Sequence, residues 1–131
     1  MLYNMSKKII KTPHAPAPIG PYNQAVLVGN MLYTSGQIAI HPITGVLVLE
    51  NIQAETKLVM ENLKAILTEA QMTFENVVKT SIFISDMNNF TKINEVYATY
   101  FNEATAPARE TVEVANLPKF VHVEISLIAI K

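Results

Sequence analysis

The chain has 131 residues, of which 50% are hydrophobic and 16% are charged, and its formal net charge is −1. We expect residues 1–131 to form one domain, and the near-neutral charge disfavours nucleic acid as a partner. The absence of cysteine excludes disulfides, thiol nucleophiles and cysteine-ligated metals. No run approaches the ~20 apolar residues of a membrane span, and no signal peptide is recognisable, so we expect a cytoplasmic protein without membrane partners.

The first third of the chain predicts short strands separated by turns. Gly29-Asn30 is a two-residue hairpin signal that joins two of these strands. Three prolines within residues 13–18 hold the chain extended and exclude a helix, and composition alone favours a plain connector there. The predicted strands occupy residues 8–11, 24–28 and 31–35.

The remainder of the chain predicts helices that alternate with strands. After Asn51, a plausible N-cap, apolar residues recur at helical spacing for about five turns. A strand with alternating side chains follows, and then a second amphipathic helix. The predicted helices are 51–70 and 90–101, and the predicted strands are 77–85, 110–115 and 121–130.

This order of elements predicts a mixed sheet. Each strand–helix–strand passage implies a parallel crossover, whereas each hairpin implies antiparallel neighbours. Two helices can cover only one face of such a sheet, yet residues 26–28 and 128–130 are apolar without alternation. We therefore expect the second face to be buried in an oligomer.

Arg109, the only arginine of the chain, is a candidate anion-binding group. Strand periodicity places it on one face with Thr111 and Glu113, and its guanidinium fork can bind a carboxylate through two hydrogen bonds. The alternative is a surface salt bridge with Glu110 or Glu113, and the residues alone favour that alternative slightly.

Glu124 lies within the last predicted strand, on the face that periodicity assigns to His122 and Ser126. A carboxylate in a mostly apolar strand is either functional, as a group that orients or deprotonates water, or a strand-end residue that faces solvent. Periodicity does not choose between the two.

Other common sites are not indicated. His14, His41 and His122 lie in different elements without the spacing of metal ligands, so we expect no metal. Ser35 lacks the surrounding motif of a nucleophilic serine, and no phosphate-binding loop or dinucleotide fingerprint is present. On their own, the residues support a small-anion site and no more.

Read together, several segments resemble the RidA/YjgF family of reactive-intermediate deaminases. The similarity runs from about Lys7 onwards, in the family's order and spacing, and the fourth segment is the most specific. The segments that carry it are residues 17–25, 33–38, 94–97, 107–118 and 123–125. Residues 1–6 are then an N-terminal extension, with Met5 as an alternative start to Met1.

The resemblance implies a chorismate-mutase-like α+β fold, in which a mixed six-stranded sheet carries two helices on one face. Three such subunits would form a homotrimer around a central barrel, with a pocket at each of three interfaces. This expectation agrees with the independent inference that the second face of the sheet needs a partner.

The resemblance also assigns roles to residues. Arg109 matches the family's carboxylate-binding arginine, and Glu124 matches the glutamate that holds the attacking water. Thr111 stands where many members carry a cysteine at the edge of the pocket, so no thiolate is available there. The remaining residues that match substrate-binding positions are Tyr22, Ser35, Gly36, Phe90 and Asn94.

The activity implied is hydrolysis of 2-imino acids, such as 2-iminobutanoate and 2-iminopropanoate, to 2-oxo acids and ammonia, without a cofactor. One alternative is a regulatory trimer that binds 2-oxo acids without turnover. Members of the family have also been described as ribonucleases or translation inhibitors, but the near-neutral charge and the single arginine disfavour RNA as a partner.

Overall fold

The computed structural model describes residues 6–131 as two helices and a six-stranded sheet. The helices are α1 (Ile52–Glu69) and α2 (Phe90–Ala98). The strands are β1 (Lys7–Ile10), β2 (Ala25–Val28), β3 (Met31–Thr34), β4 (Val77–Ile84), β5 (Ala108–Glu113) and β6 (Val123–Ile130). Residues 1–5, which include Met1, Met5 and most of the predicted extension, lie outside the described residues.

The sheet order β1-β2-β3-β6-β4-β5 confirms the predicted mixed α+β architecture. All neighbouring strands are antiparallel except β4 and β5, which flank α2 and run parallel from Lys79–Ala108 to Ile84–Glu113. Strands β3 and β4, which flank α1, are both antiparallel to β6 and therefore run in the same direction with β6 between them. The passages through α1 and α2 therefore each join two strands that run in the same direction, as predicted.

The ends of three elements differ from the predictions by two residues or more. Strand β5 begins two residues earlier than the predicted 110–115, because pairing with β4 already starts at Ala108. Strand β6 begins at Val123 rather than at residue 121. Helix α2 ends at Ala98 rather than at residue 101, and the aromatic residues beyond it pack from the turn that follows.

Helix α1 forms where a cap and an apolar stripe coincide. The Asn51 side chain accepts a hydrogen bond from the Ala54 N–H at 2.8 Å, which confirms the predicted N-cap. Both helices contribute to one core with the inward residues of the sheet, so they cover the same face. The core side chains of the helices are Val59, Met60, Leu63, Ile66, Leu67, Ile93 and Tyr97. Neither helix in the described part of the chain has the length and apolar composition that crossing a membrane requires.

The opposite face of the sheet carries exposed apolar side chains. Ile9, Tyr33 and Ile130 are 41%, 46% and 37% exposed, and Val112 at the far edge is 42% exposed. Exposed large apolar groups on neighbouring strands are typical of surfaces that protein–protein contacts cover. The described chain thus has one buried face and one face that is covered only in part, where Ile38, Ile40, Leu117 and Val121 pack against Phe83.

A buried carboxylate joins α1 to the start of β6. Glu55 is fully buried in the first turn of α1, where it accepts hydrogen bonds from the N–H groups of His122 and Val123 at 2.7 and 3.1 Å. The His122 ring lies 2.7 Å from the other carboxylate oxygen. The predicted placement of His122 on the face of Glu124 is therefore wrong, because His122 precedes the strand and turns to α1.

Replacing Glu55 with alanine should lower the free energy of unfolding by about 2–4 kcal/mol, because the buried N–H of Val123 and the partly buried N–H of His122 lose their acceptor. Glu55→Gln retains one acceptor oxygen and should cost less. Urea denaturation at a fixed protein concentration measures both variants. Equal stability of Glu55→Ala and the unmodified protein would contradict this account of the β6 anchor.

Candidate active site

Arg109 lies on β5, the edge strand of the sheet, with its side chain towards α2. Its Nη1 donates a hydrogen bond to Asn94 Oδ1 at 2.7 Å, and its Cζ lies 5.7 Å from the centre of the Phe90 ring and 5.0 Å from that of Tyr97. Asn94, Phe90 and Arg109 were each predicted as site residues, and the structure brings them together. Tyr97 was not predicted as part of this group.

The competing interpretation of Arg109 as a surface salt bridge is wrong for residues 6–131. Glu110 pairs instead with Lys79 at 3.2 Å, and the pKa of Glu110 is lowered chiefly by its hydrogen bond with Lys79. Glu113 accepts a hydrogen bond from the Met87 N–H at 2.7 Å. Arg109 has no ion-pair partner in this part of the chain, so its positive charge is not neutralised internally.

Thr111 lines the same pocket as Arg109, Phe90 and Asn94, as strand alternation predicts. Its Oγ1 atom is buried and has no hydrogen-bond partner among residues 6–131. A buried hydroxyl without a partner costs free energy, because its hydrogen bonds to water are lost and not replaced. Thr111 is therefore a local weakness of the fold at the edge of the predicted site.

Glu124 lies on the opposite face of the sheet. It is the pairing partner of Phe83 on β4, whereas Val123, Ile125 and Leu127 on either side of it in β6 point into the core beneath the helices. Burial raises the pKa of the half-buried Glu124 carboxyl. A raised pKa makes its carboxylate a stronger base than a solvated glutamate, which suits it to accepting a proton from water.

Gly36 is in close contact with Glu124. A Cβ built on Gly36 would lie 2.8 Å from the carboxyl carbon of Glu124, so any larger residue would displace the carboxylate. The absence of a side chain at residue 36 thus leaves the space that Glu124 occupies. The family resemblance placed both residues in the predicted site, and the contact gives a physical reason for glycine.

Glu124 and Gly36 line a cavity of about 380 Å³. Tyr22 and Ser35, which were also predicted site residues, belong to the same cavity, and its remaining walls are largely apolar. The Ser35 hydroxyl donates to the Asn23 carbonyl at 2.6 Å. Its bond to the main chain assigns Ser35 a role in shaping the wall.

The proline segment forms part of this wall and is more than a connector. Pro16, Ala17 and Pro18 line the cavity, and buried Gln24 holds the segment in place. The Gln24 amide accepts from the Thr12 N–H at 2.8 Å and donates to main-chain carbonyls of the segment, among them that of Pro16 at 2.9 Å. Sequence reasoning missed Gln24, and its only signal was a polar residue at the start of an apolar strand.

The predicted site residues therefore form two groups on opposite faces of the chain. The first group, which we call the arginine half-site, comprises Phe90, Asn94, Arg109 and Thr111. The second, the glutamate half-site, comprises Tyr22, Ser35, Gly36 and Glu124. No cluster of three or more histidine, aspartate and glutamate side chains suited to a metal ion occurs among residues 6–131.

Known proteins resemble this chain over most of its length. A family model described as Endoribonuclease L-PSP matches residues 12–131. The crystal structure of the Escherichia coli YjgF gene product has a TM-score of 0.89 at 44% identity, covering 95% of this chain and 98% of that one. The chain belongs to the RidA/YjgF family.

Other relatives extend the RidA/YjgF assignment. A RutC family protein of Synechocystis is 53% identical over 127 residues, which cover 96% of this chain and 98% of the relative. E. coli TdcF, named as a candidate reactive intermediate deaminase, is 46% identical over 127 residues, covering 95% and 98% of the two chains. The crystal structure of TdcF with bound serine has a TM-score of 0.89 at 45% identity, with 95% and 98% coverage.

Replacing Thr111 with valine should raise the free energy of unfolding by about 1 kcal/mol, because valine has the same shape without the unpartnered hydroxyl. Thr80→Val is the matched control, since the Thr80 hydroxyl is bonded to Tyr97 at 2.8 Å and its loss should destabilise the protein. Chemical denaturation compares the two. A loss of stability in Thr111→Val would show that Oγ1 has a partner in solution.

Proposed function

We propose that the protein is a hydrolase that converts 2-imino acids, such as 2-iminobutanoate and 2-iminopropanoate, to 2-oxo acids and ammonia. The observation that carries the proposal is the environment of Arg109, which has no ion-pair partner among residues 6–131 while neutral groups hold its side chain. Such an arginine is prepared to bind an external carboxylate. Glu124, with its raised pKa, supplies the base that hydrolysis requires.

The family relatives support this reaction class. TdcF carries a name that describes a reactive intermediate deaminase, and its structure is described with bound serine. Serine and a 2-imino acid share a carboxylate next to a carbon that bears nitrogen. An arginine that binds this carboxylate would place the neighbouring carbon at a constant distance from the fork.

The chemistry follows from the two charged groups. Arg109 binds the carboxylate of the substrate. Glu124 accepts a proton from a water molecule while the oxygen of that water bonds to the imine carbon. Glu124 returns that proton to the imine nitrogen, which gives a carbinolamine. The hydroxyl proton of the carbinolamine is then transferred to its amine, the C–N bond breaks as the C=O bond forms, and ammonia leaves. One water is consumed, no oxidant or cofactor is needed, and positioning with general-base help accounts for the acceleration.

Both half-sites must meet for this mechanism, and we propose that they do so between subunits of a homotrimer. The exposed apolar groups on one face of the sheet favour burial against another subunit. The family resemblance implies that three subunits assemble. Each of three interfaces would then combine the arginine half-site of one subunit with the glutamate half-site of its neighbour. The walls of the 380 Å³ cavity would surround the substrate side chain.

A 2-oxo-acid-binding trimer without turnover would use the same arginine, but it has no need of a basic carboxylate. A ribonuclease activity finds little support, because the net charge is −1 and Arg109 is the only arginine. Nucleic-acid binders concentrate positive charge to bind the phosphate backbone.

The activity can be followed in a coupled assay in which a dehydratase acts on L-threonine and semicarbazide traps the surviving imine. Arg109→Ala should no longer lower the amount of trapped imine. Losing a bidentate charge-assisted pair costs a few kcal/mol of substrate binding, or roughly a hundredfold. Arg109→Lys, which retains the charge without the fork, should recover only a small part of the activity. The unmodified protein should lower the amount of trapped imine.

Undiminished trapping by the unmodified protein would contradict the deaminase proposal and favour the binding-only alternative. Full activity in Arg109→Ala would instead retain the reaction and remove Arg109 from it. Glu124→Gln separates the two roles, because it keeps the shape of the side chain and removes the base. We expect it to bind 2-oxobutanoate while losing turnover.

A further inference from the structure

The hydrogen-bond and cation–π partners of the Arg109 guanidinium are neutral and come from one face of α2. Phe90, Asn94 and Tyr97 are spaced four and three residues apart on α2, so their side chains project side by side. Asn94 accepts one guanidinium hydrogen bond, and the two rings lie within cation–π distance of Cζ. An aspartate in place of Asn94 would also accept a hydrogen bond from the guanidinium, but its negative charge would compete with an external carboxylate.

Tyr97 is held by a buried hydrogen bond and by an aromatic contact. Its hydroxyl is bonded to Thr80 Oγ1 at 2.8 Å, and Thr80 is fully buried. Phe101 packs on its other side, with ring centres 4.8 Å apart. Thr80 is also the residue of β4 paired with Arg109 of β5. The backbone ladder and the Thr80–Tyr97 bond thus tie the ring to the strand position that carries the arginine.

The phenol of Tyr97 remains neutral in this environment. Burial raises its pKa, and this effect outweighs the Thr80 hydrogen bond and the charge of Arg109, which both lower the pKa. A neutral ring offers its π face to the guanidinium and leaves the full positive charge available to a ligand.

We propose that Tyr97 is a positioning residue for Arg109, and that Thr80 fixes the ring which sets the direction of the guanidinium fork. Tyr97 contacts no reacting atom in this account and acts only through the arginine. An arginine side chain on an edge strand has many rotamers, and holding one of them in advance lowers the entropy cost of binding a carboxylate. The inference rests on the proposed function for the identity of the ligand, but the positioning itself does not depend on turnover.

The single arginine makes a direct test possible, because its Nε–H gives one signal in a ¹H–¹⁵N spectrum of the full chain. Tyr97→Leu removes the ring, whereas Tyr97→Phe and Thr80→Val break the same hydroxyl pair from opposite sides. Tyr100→Phe is the matched control, since its hydroxyl bonds to Glu61 at 2.6 Å, away from Arg109. We expect the arginine signal to move in the first three variants and to stay in place in the control.

Binding and kinetics provide the second readout. Tyr97→Leu should raise the dissociation constant for 2-oxobutanoate and the KM for the imino acid about 5- to 30-fold, as expected for loss of a desolvated cation–π contact. The kcat should change little, because the arginine holds substrate and transition state alike. A merely structural role would lower the active fraction, and hence apparent kcat, at unchanged KM.

The outcomes separate the two proposals. If the unmodified protein hydrolyses imino acids but the Tyr97 and Thr80 variants leave the arginine signal and KM unchanged, the positioning inference is overturned and the function stands. If the unmodified protein shows no turnover while the variants still move the signal and weaken 2-oxobutanoate binding, the function fails and the positioning stands. Tyr97→Phe and Thr80→Val keep the test valid should Tyr97→Leu fold poorly.

Discussion

The alternation of side chains along a β-strand is the constraint on which the proposed site depends. Thr80 of β4 pairs with Arg109 on one side and with Leu127 on the other, so Arg109 lies on the face of the core residue Leu127. Glu124 is an odd number of positions from Leu127 along β6 and therefore faces the other way. A single sheet keeps the arginine and the glutamate on opposite faces, and a site that uses both requires a second subunit.

The same constraint explains the exposed apolar face. The two helices contribute their apolar stripes to one side of the sheet, and Tyr33 and Ile130 remain exposed on the other. An assembly that buries this face would also bring arginine and glutamate half-sites of different subunits together. The stability of the assembly and the proposed catalysis would then both depend on the contact that buries this apolar face.

Periodicity and local turn chemistry predicted most of the fold. The stripe after Asn51 gave α1, Gly29-Asn30 gave the hairpin, and alternation assigned Arg109 and Thr111 to one face. Element ends were less accurate, because β5 begins where its pairing with β4 begins rather than where its own composition changes.

Contacts between distant residues could not be predicted from local patterns. Gln24 holds main-chain groups up to 12 positions away, and Glu55 reaches 67 positions along the chain to His122. The role of Tyr97 depends on the register that places Thr80 opposite Arg109. Folding brings each of these three side chains to a partner that is distant in the sequence. The residues next to it in the chain therefore carry little information about its function.

Mixing two inactive variants tests the shared site most directly. Arg109→Ala and Glu124→Gln are unfolded together, refolded as a one-to-one mixture, and checked for mixed assemblies by native mass spectrometry. If every site combines Arg109 of one subunit with Glu124 of the next, random mixing should restore about a quarter of the unmodified activity. Mixed assemblies without activity would contradict a site divided between subunits.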